Sequence, residues 1–340
     1  MKKQALTLIV AGLAVVSVHA DAYKDAYGSA WKEERARKYE VAATSFLAAS
    51  DIAPGPQQKA ESLFRAGECF KNLKKYDKAV ELFKKVAAMK NISAYTRGVS
   101  QLRIGQLLYW QKKYKESIAE LQKVKDIKGA HLHLLTDAML NCGYNYDRLK
   151  EYDKAEECYK YVLSKKTHPY HLTRAYIALG NDLRLRKKYD AAIAEFEKVP
   201  EVPKVHPNNV SEAYLNMGYV YREQKKYADA IAAFKKCIAV EKGHPHHQSS
   251  AQINMGHALR DQKKYEEAIK AYSKTYDMPK AHPFHYAEAD RMIGYCYWDL
   301  KDYGKAKEYF EKVMAAKNTW PWQKNSAKNM LKAIAQKLKK

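Results

Sequence analysis

Apolar residues in the middle of the chain recur at the spacing of an α-helix, in two stretches separated by a polar segment that includes residues 223–226. In the first stretch Ala213, Met217 and Tyr221 lie four residues apart, which places them on one face of a helix. In the second stretch Tyr227 and Phe234 lie seven residues apart and mark a second apolar face. The pattern predicts two antiparallel helices joined by a short turn. Because a pair this small cannot bury both apolar faces, it must pack against neighbouring pairs.

The same pattern recurs eight times, at steps of 37 or 38 residues. Each copy has a tyrosine directly after its polar break, and these turn tyrosines are Tyr39, Tyr76, Tyr114, Tyr152, Tyr189, Tyr227, Tyr265 and Tyr303. Nine residues before the tyrosine stands a glycine, or an alanine in the first copy. Three residues after it stands alanine or serine, and seven residues after it phenylalanine, tyrosine or leucine. Small residues let the two helices approach, and the large residue fills the space that remains.

These columns resemble the tetratricopeptide repeat (TPR) family, whose unit is a helix–turn–helix with Leu-Gly, Tyr, Ala and Phe at these offsets. The resemblance covers roughly residues 23–320. It implies an all-α fold, a right-handed α-solenoid of about eight TPR-like repeats with a C-terminal capping helix. The family unit has about 34 residues. Most copies here have 38, with the extra residues in the link after the second helix, so we expect an altered superhelical pitch.

The two ends of the chain differ from the repeats. Residues 1–20 combine two early lysines, an apolar run and a small-residue cleavage site at Ala20, which predicts a bacterial-type secretory signal peptide. A transmembrane anchor is less favoured because the apolar run is too short. The predicted domains are therefore the signal peptide, a TPR solenoid over 21–321 and a capping helix over 322–340. We expect an exported protein, periplasmic or secreted, whose mature chain has no transmembrane segment.

The last predicted helix is amphipathic, with Ala327, Leu331, Ile334 and Leu338 on its apolar side and lysines on the other. A solenoid needs a terminal helix with a polar outer face, so a solvating cap is the favoured interpretation. Binding of this basic helix to a membrane surface is the alternative.

The chain is strongly basic, with a formal net charge of +23. This charge implies attraction to anionic partners but does not identify them. Nucleic acid would suit the charge, but export makes it an unexpected partner. The sequence shows no glycine-rich phosphate loop, no Ser/His/Asp order and no CxxC pair. We therefore expect neither enzymatic activity nor a cofactor.

The first candidate site follows from the resemblance. In TPR proteins the residues one and four positions after the glycine line the concave surface. The candidate ligand groove at these positions consists of Arg184, Arg222, Arg260, Tyr144, Tyr219, His257, Tyr295 and Trp298. Arginine binds carboxylates through two parallel hydrogen bonds, and tyrosine adds flat amphipathic area. An ordinary solvated face is the competing interpretation.

The second candidate is a His-Pro pair that recurs in the links, with histidines at 168, 206, 244 and 282. Three copies add a second histidine, which gives an alternative metal-binding set of His168, His171, His244, His247, His282 and His285. A ladder of imidazoles can bind a transition metal or gain charge on acidification. We favour a link motif in which proline presets the first helical turn and histidine caps or packs against it. No acid or thiolate recurs beside the histidines to complete a metal site.

Two lysines precede the turn tyrosine in five copies, at 74–75, 112–113, 187–188, 225–226 and 263–264. Stacked repeats would bring these lysines into a positive stripe along one edge. The compatible structural interpretation is that cations favour the C-terminal end of a helix dipole.

The chain has five cysteines, and Cys69, Cys237 and Cys296 occupy small-residue packing positions of the repeats, where cysteine behaves as a small hydrophobe. Their odd number and irregular spacing do not suggest a disulfide framework. Cys142 and Cys158, on the two helices of one copy, form the only pair for which a disulfide is worth testing.

Together these features predict a non-catalytic protein–protein interaction scaffold of the cell envelope or secreted space. It would bind an acidic or peptide-like segment of another protein in a concave groove. One alternative is an anionic envelope polymer bound along the lysine-rich edge. Another is metal- or pH-responsive assembly through the His-Pro column.

Overall fold

The computed structural model describes residues 20–278 and 280–339, which contain seventeen α-helices, two short 3₁₀ helices and no strand. The chain divides into two compact units, with the boundary between His171 and Leu172. The predicted signal peptide lies outside the described residues except for Ala20, which is helical. The all-α repeat fold predicted from the hydrophobic pattern is confirmed.

The first unit contains four helical hairpins. Its helices are α1 (20–35), α2 (Tyr39–Asp51), α3 (Pro56–Asn72), α4 (Tyr76–Ala88), α5 (Ala94–Trp110), α6 (Tyr114–Gln122), α7 (Leu132–Leu149) and α8 (Tyr152–Leu163). Odd-numbered helices are the first helices of the hairpins and even-numbered helices are the second. Successive helices pack on one another, and α3 also contacts α5, which in turn contacts α7.

The second unit contains four further hairpins and a final single helix. Its helices are α9 (Pro169–Leu185), α10 (Tyr189–Glu197), α11 (Pro207–Glu223), α12 (Tyr227–Ala239), α13 (Pro245–Asp261), α14 (Tyr265–Ser273), α15 (Pro283–Asp299), α16 (Tyr303–Ala315) and α17 (Pro321–Lys337). The first three residues of α9 precede the unit boundary. The first helices α11, α13 and α15 contact one another in sequence. The last helix packs on α16 and α15 and buries Gln323, Ala327 and Ile334.

The interior of seven of the eight described hairpins depends on a close contact between the column glycine and the large residue seven positions after the turn tyrosine. A Cβ atom at Gly218 would lie 2.2 Å from Cε1 of Phe234, and one at Gly143 would lie 2.3 Å from Cε1 of Tyr159. Phe234 and Tyr159 are fully buried. Glycine is therefore required here because the helices approach closely.

The turn inside each hairpin has one repeated geometry. Lys225 adopts a left-handed conformation (φ 60°) and its backbone N–H donates to the Arg222 carbonyl at 2.9 Å. The N–H of Lys226 donates to the Tyr221 carbonyl, also at 2.9 Å. This pair of bonds is a Schellman motif, and an equivalent pair closes all eight turns. The second helix then begins at the turn tyrosine.

The links between hairpins contain the residues that lengthen the repeat. In two copies the second helix ends after nine residues and a 3₁₀ turn follows, at Lys123–Asp126 and Lys274–Asp277. Proline is the first residue of α9, α11, α13, α15 and α17, where its missing N–H is no loss. In the part of the chain that the structure describes, no helix combines the length and apolar character needed to span a membrane.

Candidate functional site

Three arginines of the predicted groove lie near the C-terminal ends of α9, α11 and α13. Each meets a carboxylate from the first helix of the next hairpin. Arg184 Nε lies 3.7 Å from Glu223 Oε1, and Arg222 Nε donates to Asp261 Oδ2 at 2.8 Å. Arg260 donates to Asp299 Oδ2 from both Nε (3.0 Å) and Nη2 (2.7 Å). The arginine column is therefore also a ladder of ion pairs between hairpins.

The three guanidinium groups differ in how much hydrogen-bonding capacity remains. Two nitrogens of Arg260 are engaged by Asp299, whereas Arg222 uses only Nε. Arg184 makes an ion pair but no hydrogen bond among the described residues. The terminal nitrogens of Arg184 and Arg222 thus make no hydrogen bond in that part of the chain. Because guanidinium groups recognise carboxylates through such donors, a ligand is best received at the Arg184–Arg222 end.

A recess of about 520 Å³ opens at that end. It is lined by Arg184, Tyr219, Arg222, Glu223, Lys225, Tyr227, Asn254 and Asp261. We call it the second-unit recess. The Arg184 guanidinium lies 5.7 Å from the centroid of the Tyr219 ring, so cation and aromatic face form one wall. Burial raises the pKa of Tyr219, which keeps its hydroxyl protonated and able to donate.

Asn254 was not among the predicted site residues, although it lines the second-unit recess. Its Nδ2 donates to the Ser250 carbonyl at 2.8 Å and lies 3.5 Å from the Tyr219 hydroxyl. The sequence does contain a signal for it. Asparagine stands two positions before the column glycine at Asn141, Asn216 and Asn254. This column precedes the glycine, whereas the residues that line the concave surface in the resemblance follow it.

Three other predicted groove residues are held in packing contacts of the second unit. His257 Nδ1 lies 2.9 Å from the Tyr272 hydroxyl. Burial, followed by repulsion from nearby arginines, lowers the pKa of His257 to about 3, so its imidazole is neutral. The Tyr295 hydroxyl is 2.8 Å from Ser326 Oγ of α17, and the Trp298 ring packs 5.0 Å from that of Tyr303.

Tyr144, the remaining predicted groove residue, belongs to α7 of the first unit. Its ring lies 5.9 Å from the ring of Tyr159, the residue that fills that hairpin. All residues that line the second-unit recess belong to the second unit. The structure thus brings Arg184, Tyr219 and Arg222 together in one recess but does not include Tyr144 in it.

The first unit has a recess of its own, which sequence reasoning missed. It measures about 510 Å³ and is lined by Gln57, Glu61, Phe64, Arg65, Glu68, Ser93, Tyr95, Thr96, Val99 and Arg103. Its charges are engaged, since Glu68 accepts from Arg103 Nε at 2.9 Å and is also paired with Lys71. The sequence feature that could have indicated this recess is Tyr95, a large aromatic residue near the start of α5. Its side chain is 51% exposed.

The histidines of the His-Pro pairs cap helices. In each case Nδ1 accepts a hydrogen bond of 3.2 Å from the backbone N–H two residues later. The four pairs are His168 with Tyr170, His206 with Asn208, His244 with His246, and His282 with Phe284. These hydrogen bonds have the geometry expected of a link motif in which the histidine caps the helix that follows it. An imidazole can act in this way only while Nδ1 carries no proton.

The second histidines of the column are engaged elsewhere. His171 Nε2 lies 3.0 Å from Asp137 Oδ1, and His247 Nδ1 lies 3.1 Å from Ser211 Oγ. His285 Nε2 lies 3.0 Å from Nδ1 of His246. Within residues 20–278 and 280–339, no group of three or more histidine, cysteine or acidic side chains is placed to hold a metal ion.

Two of these histidines have strongly shifted pKa values. Burial, with a smaller contribution from neighbouring histidines, lowers the pKa of both His247 and His285 to about 4. His285 is only 2% exposed. Both imidazoles are therefore neutral at neutral pH, and acidification would place charge in a poorly solvated part of the second unit.

All five cysteines are buried and free. Cys142 and Cys158 belong to the same apolar cluster of the first unit but are not bonded to each other. Burial is the main reason that the pKa of each cysteine rises to about 12. None is a thiolate at neutral pH, so none has the character of a catalytic nucleophile.

The repeats and their stacked hairpins define an all-α helical-repeat solenoid. Models of the tetratricopeptide repeat match residues 61–88, 136–164 and the overlapping segments 171–243, 209–281 and 247–319. These matches cover more than half of the chain, which therefore belongs to the tetratricopeptide repeat family. Such repeats are typical of non-catalytic scaffolds that bind other proteins. No curated protein matches the chain.

Solved structures show the same fold. A tetratricopeptide repeat protein from Parabacteroides merdae is 17% identical, with a TM-score of 0.53 over 82% of this chain and 99% of that one. The C-terminal part of a TPR repeat-containing protein from Cytophaga hutchinsonii is 18% identical, with a TM-score of 0.52 over 77% and 98%. The apo form of RapI is 12% identical, with a TM-score of 0.57 over 94% and 98%. At these identities the similarity concerns the fold alone.

Proposed function

We propose that this protein is a non-catalytic scaffold of the cell envelope or secreted space that holds an acidic peptide segment in the second-unit recess. One observation carries this proposal. Arg184 and Arg222 retain terminal nitrogen donors and line, together with Tyr219, a recess of about 520 Å³. Elsewhere in the arginine column the donors of Arg260 are largely engaged.

The chemistry of the recess favours one carboxylate rather than a generally acidic surface. Glu223 and Asp261 partly neutralise the two arginines, so long-range attraction is weak at this point. A ligand carboxylate placed between the guanidinium groups would instead gain short, charge-assisted hydrogen bonds. Tyr219 offers a flat face, and the Asn254 amide offers polar atoms that suit a peptide backbone. A preorganised site reduces the ordering cost of binding an extended segment.

The test begins with capture of partners from the native envelope at two salt concentrations, followed by binding measurements with synthetic ten-residue peptides that end in aspartate or glutamate. Arg222→Gln should weaken binding about 10–100-fold, because a hydrogen bond to a charged group contributes about 1.5–3 kcal/mol. Arg184→Gln should have a similar effect. Calorimetry or fluorescence anisotropy gives the dissociation constants.

Arg260→Gln is the matched control, because it removes an arginine of the same column whose donors are already engaged by Asp299. It should change peptide affinity less than threefold. Equal losses in all three variants would mean that overall charge, not the recess, binds the peptide. Peptides that bind the native protein with no preference for a carboxylate would overturn the proposal outright.

Export is proposed from the leader alone. Cell fractionation should place the protein outside the cytoplasm, and sequencing of its N-terminus should begin at Asp21. Recovery of an uncleaved cytoplasmic protein would remove the envelope from the proposal while leaving peptide binding untouched.

A further inference from the structure

Each of the eight hairpin turns has a cation at the position where the backbone is left-handed. These residues, which we call the turn cations, are Arg37, Lys74, Lys112, Lys150, Lys187, Lys225, Lys263 and Lys301. Their φ angles lie between 58° and 63°. Four belong to the first unit and four to the second. All eight side chains are exposed.

This choice of residue is not what the backbone favours. Glycine adopts a left-handed conformation without penalty, and it is the usual residue at this position of a Schellman motif. A side chain there costs roughly 1–2 kcal/mol. A cation near the C-terminal end of a helix regains only about 0.3–1 kcal/mol from the helix dipole. Local stability alone therefore does not explain an unbroken series of eight cations.

The links provide an internal comparison. They contain four other left-handed residues, at Asn91, Gly129, Lys204 and Lys242. The same backbone requirement is met there by asparagine and glycine as well as lysine. At the turns it is met by a cation every time. The chain thus accepts other residues at left-handed positions but retains positive charge at the turns.

Among residues 20–278 and 280–339 the turn cations also lack partners. No turn cation makes an ion pair or a side-chain hydrogen bond among the described residues. The next residue along the chain behaves differently in two turns, since Lys75 pairs with Glu40 at 2.6 Å and Lys226 pairs with Asp190 at 3.9 Å. In these two turns the nearby acidic residue therefore pairs with the lysine that follows the turn cation. The turn cations themselves remain solvated charges without an ion-pair partner among the described residues.

We propose that the turn cations of each unit form a docking edge for a linear polyanion. Each turn cation follows the first helix of its hairpin, and successive first helices are in contact, as α11 with α13 and α13 with α15. Helices in contact pack with their axes about 8–10 Å apart, which is close to the Debye length of about 8 Å at physiological ionic strength. The potentials of successive turn cations therefore overlap along the edge. One cation per hairpin gives a single line of charge, which matches an extended anionic chain and offers a flat bilayer little contact.

The experiment uses the left-handed backbone conformation of these positions. Because glycine adopts that conformation without penalty, it can replace lysine there without disturbing the fold. The test variant carries Lys187→Gly, Lys263→Gly and Lys301→Gly, and leaves Lys225, which also lines the second-unit recess. The control variant carries Lys235→Gln, Lys270→Gln and Lys332→Gln, three exposed lysines on helix surfaces. Both variants lose three positive charges, and the probe is labelled long-chain inorganic polyphosphate.

The test variant should bind polyphosphate about tenfold more weakly at low salt than the native protein. The slope of log affinity against log salt should fall by about 2–3, because three contacts to the polyanion are lost. The control variant should stay within about threefold of the native protein. The thermal midpoint of the test variant should be equal or higher, and its peptide binding should be unchanged, which separates this proposal from that for the recess.

Three results would overturn the proposal. The first is that the native protein does not bind polyphosphate. The second is that the control loses as much affinity as the test variant, which would make net charge the only determinant. The third is that the native protein binds phosphatidylglycerol vesicles more tightly than polyphosphate and that the test variant loses this vesicle binding. That result would assign the edge to a membrane surface.

Discussion

The two units use the same hairpin but differ in how most of their first helices begin. Both close their turns with the same pair of backbone bonds and fill their interiors with the same contact between glycine and a large side chain. In the first unit the Ser93 hydroxyl caps α5 by accepting from Thr96 N at 3.0 Å. In the second unit imidazoles cap α11, α13 and α15. A hydroxyl cap is insensitive to pH, whereas an imidazole cap requires an unprotonated nitrogen.

The comparison shows which parts of the repeat are free to vary. The hairpin interior allows little variation because the glycine and the aromatic ring leave no spare volume. The links lie outside that interior, so they can change without changing the fold. The second unit has titratable groups in the first turns of its first helices, including the hydrogen-bonded pair His246 and His285.

The largest expected effect is selective loss of stability of the second unit in acid. The folded-state pKa of His247 and of His285 is about 4, below the ordinary value near 6.5. Their stabilising contribution is therefore complete above pH 6.5 and is lost as pH falls towards 4. The loss should be on the order of 2 kcal/mol for each histidine, after allowance for solvent. Hydrogen exchange at pH 7 and pH 5 can be read separately for each unit.

His285→Gln is the matched variant for this prediction, because it keeps a polar side chain but cannot gain a proton. The second unit of this variant should lose less stability between pH 7 and pH 5 than the second unit of the native protein. This holds even if the variant is less stable than the native protein at pH 7. Equal acid sensitivity of the two units in the native protein would remove the proposed difference between them.

The next largest effect tests the feature that the units share. Gly143→Ala in the first unit and Gly218→Ala in the second should each destabilise by about 1–3 kcal/mol, because the added methyl group overlaps a buried ring. Gly28→Ala is the control, since nothing lies within 4 Å of its added methyl group and alanine is the better helix former. Chemical denaturation measures all three. A neutral result at Gly218 would show that the hairpin interior can relax.

A smaller effect is expected from removing single caps. Ser93→Ala in the first unit and His244→Ala in the second should each cost about 1 kcal/mol at pH 7. Urea titrations at pH 7 provide the comparison. A neutral result for His244→Ala would argue against the imidazole cap.

The smallest effect concerns the thiols, which should not distinguish the units. The native protein should react very slowly with a thiol reagent, because burial raises the pKa of Cys142, Cys158, Cys237 and Cys296 to about 12. After unfolding without a reductant, five thiols should be counted. A count of three would show that Cys142 and Cys158 pair in the exported protein.

Much of the fold could be predicted because its determinants are close together in the chain. Phe234 follows the turn tyrosine by seven residues and meets a glycine nine residues before that tyrosine, so one hairpin contains its own packing rule. The capping function of the His-Pro pairs was equally local, since His244 caps the N–H of His246. The groove residues were harder to predict, because the hydrogen bonds and ion pairs of their side chains involve residues of the next hairpin.

Periodicity, the glycine and tyrosine columns and the turn chemistry of this sequence determined the helices, the hairpins and the repeat family, because each acts over fewer than about twenty residues. Only the tertiary structure decided which charges remain available. It placed Asp299 on Arg260, 39 residues away, and left donors on Arg184 and Arg222. It also placed His285 against His246. Such contacts depend on the register between stacked hairpins, which spacing within one repeat does not specify.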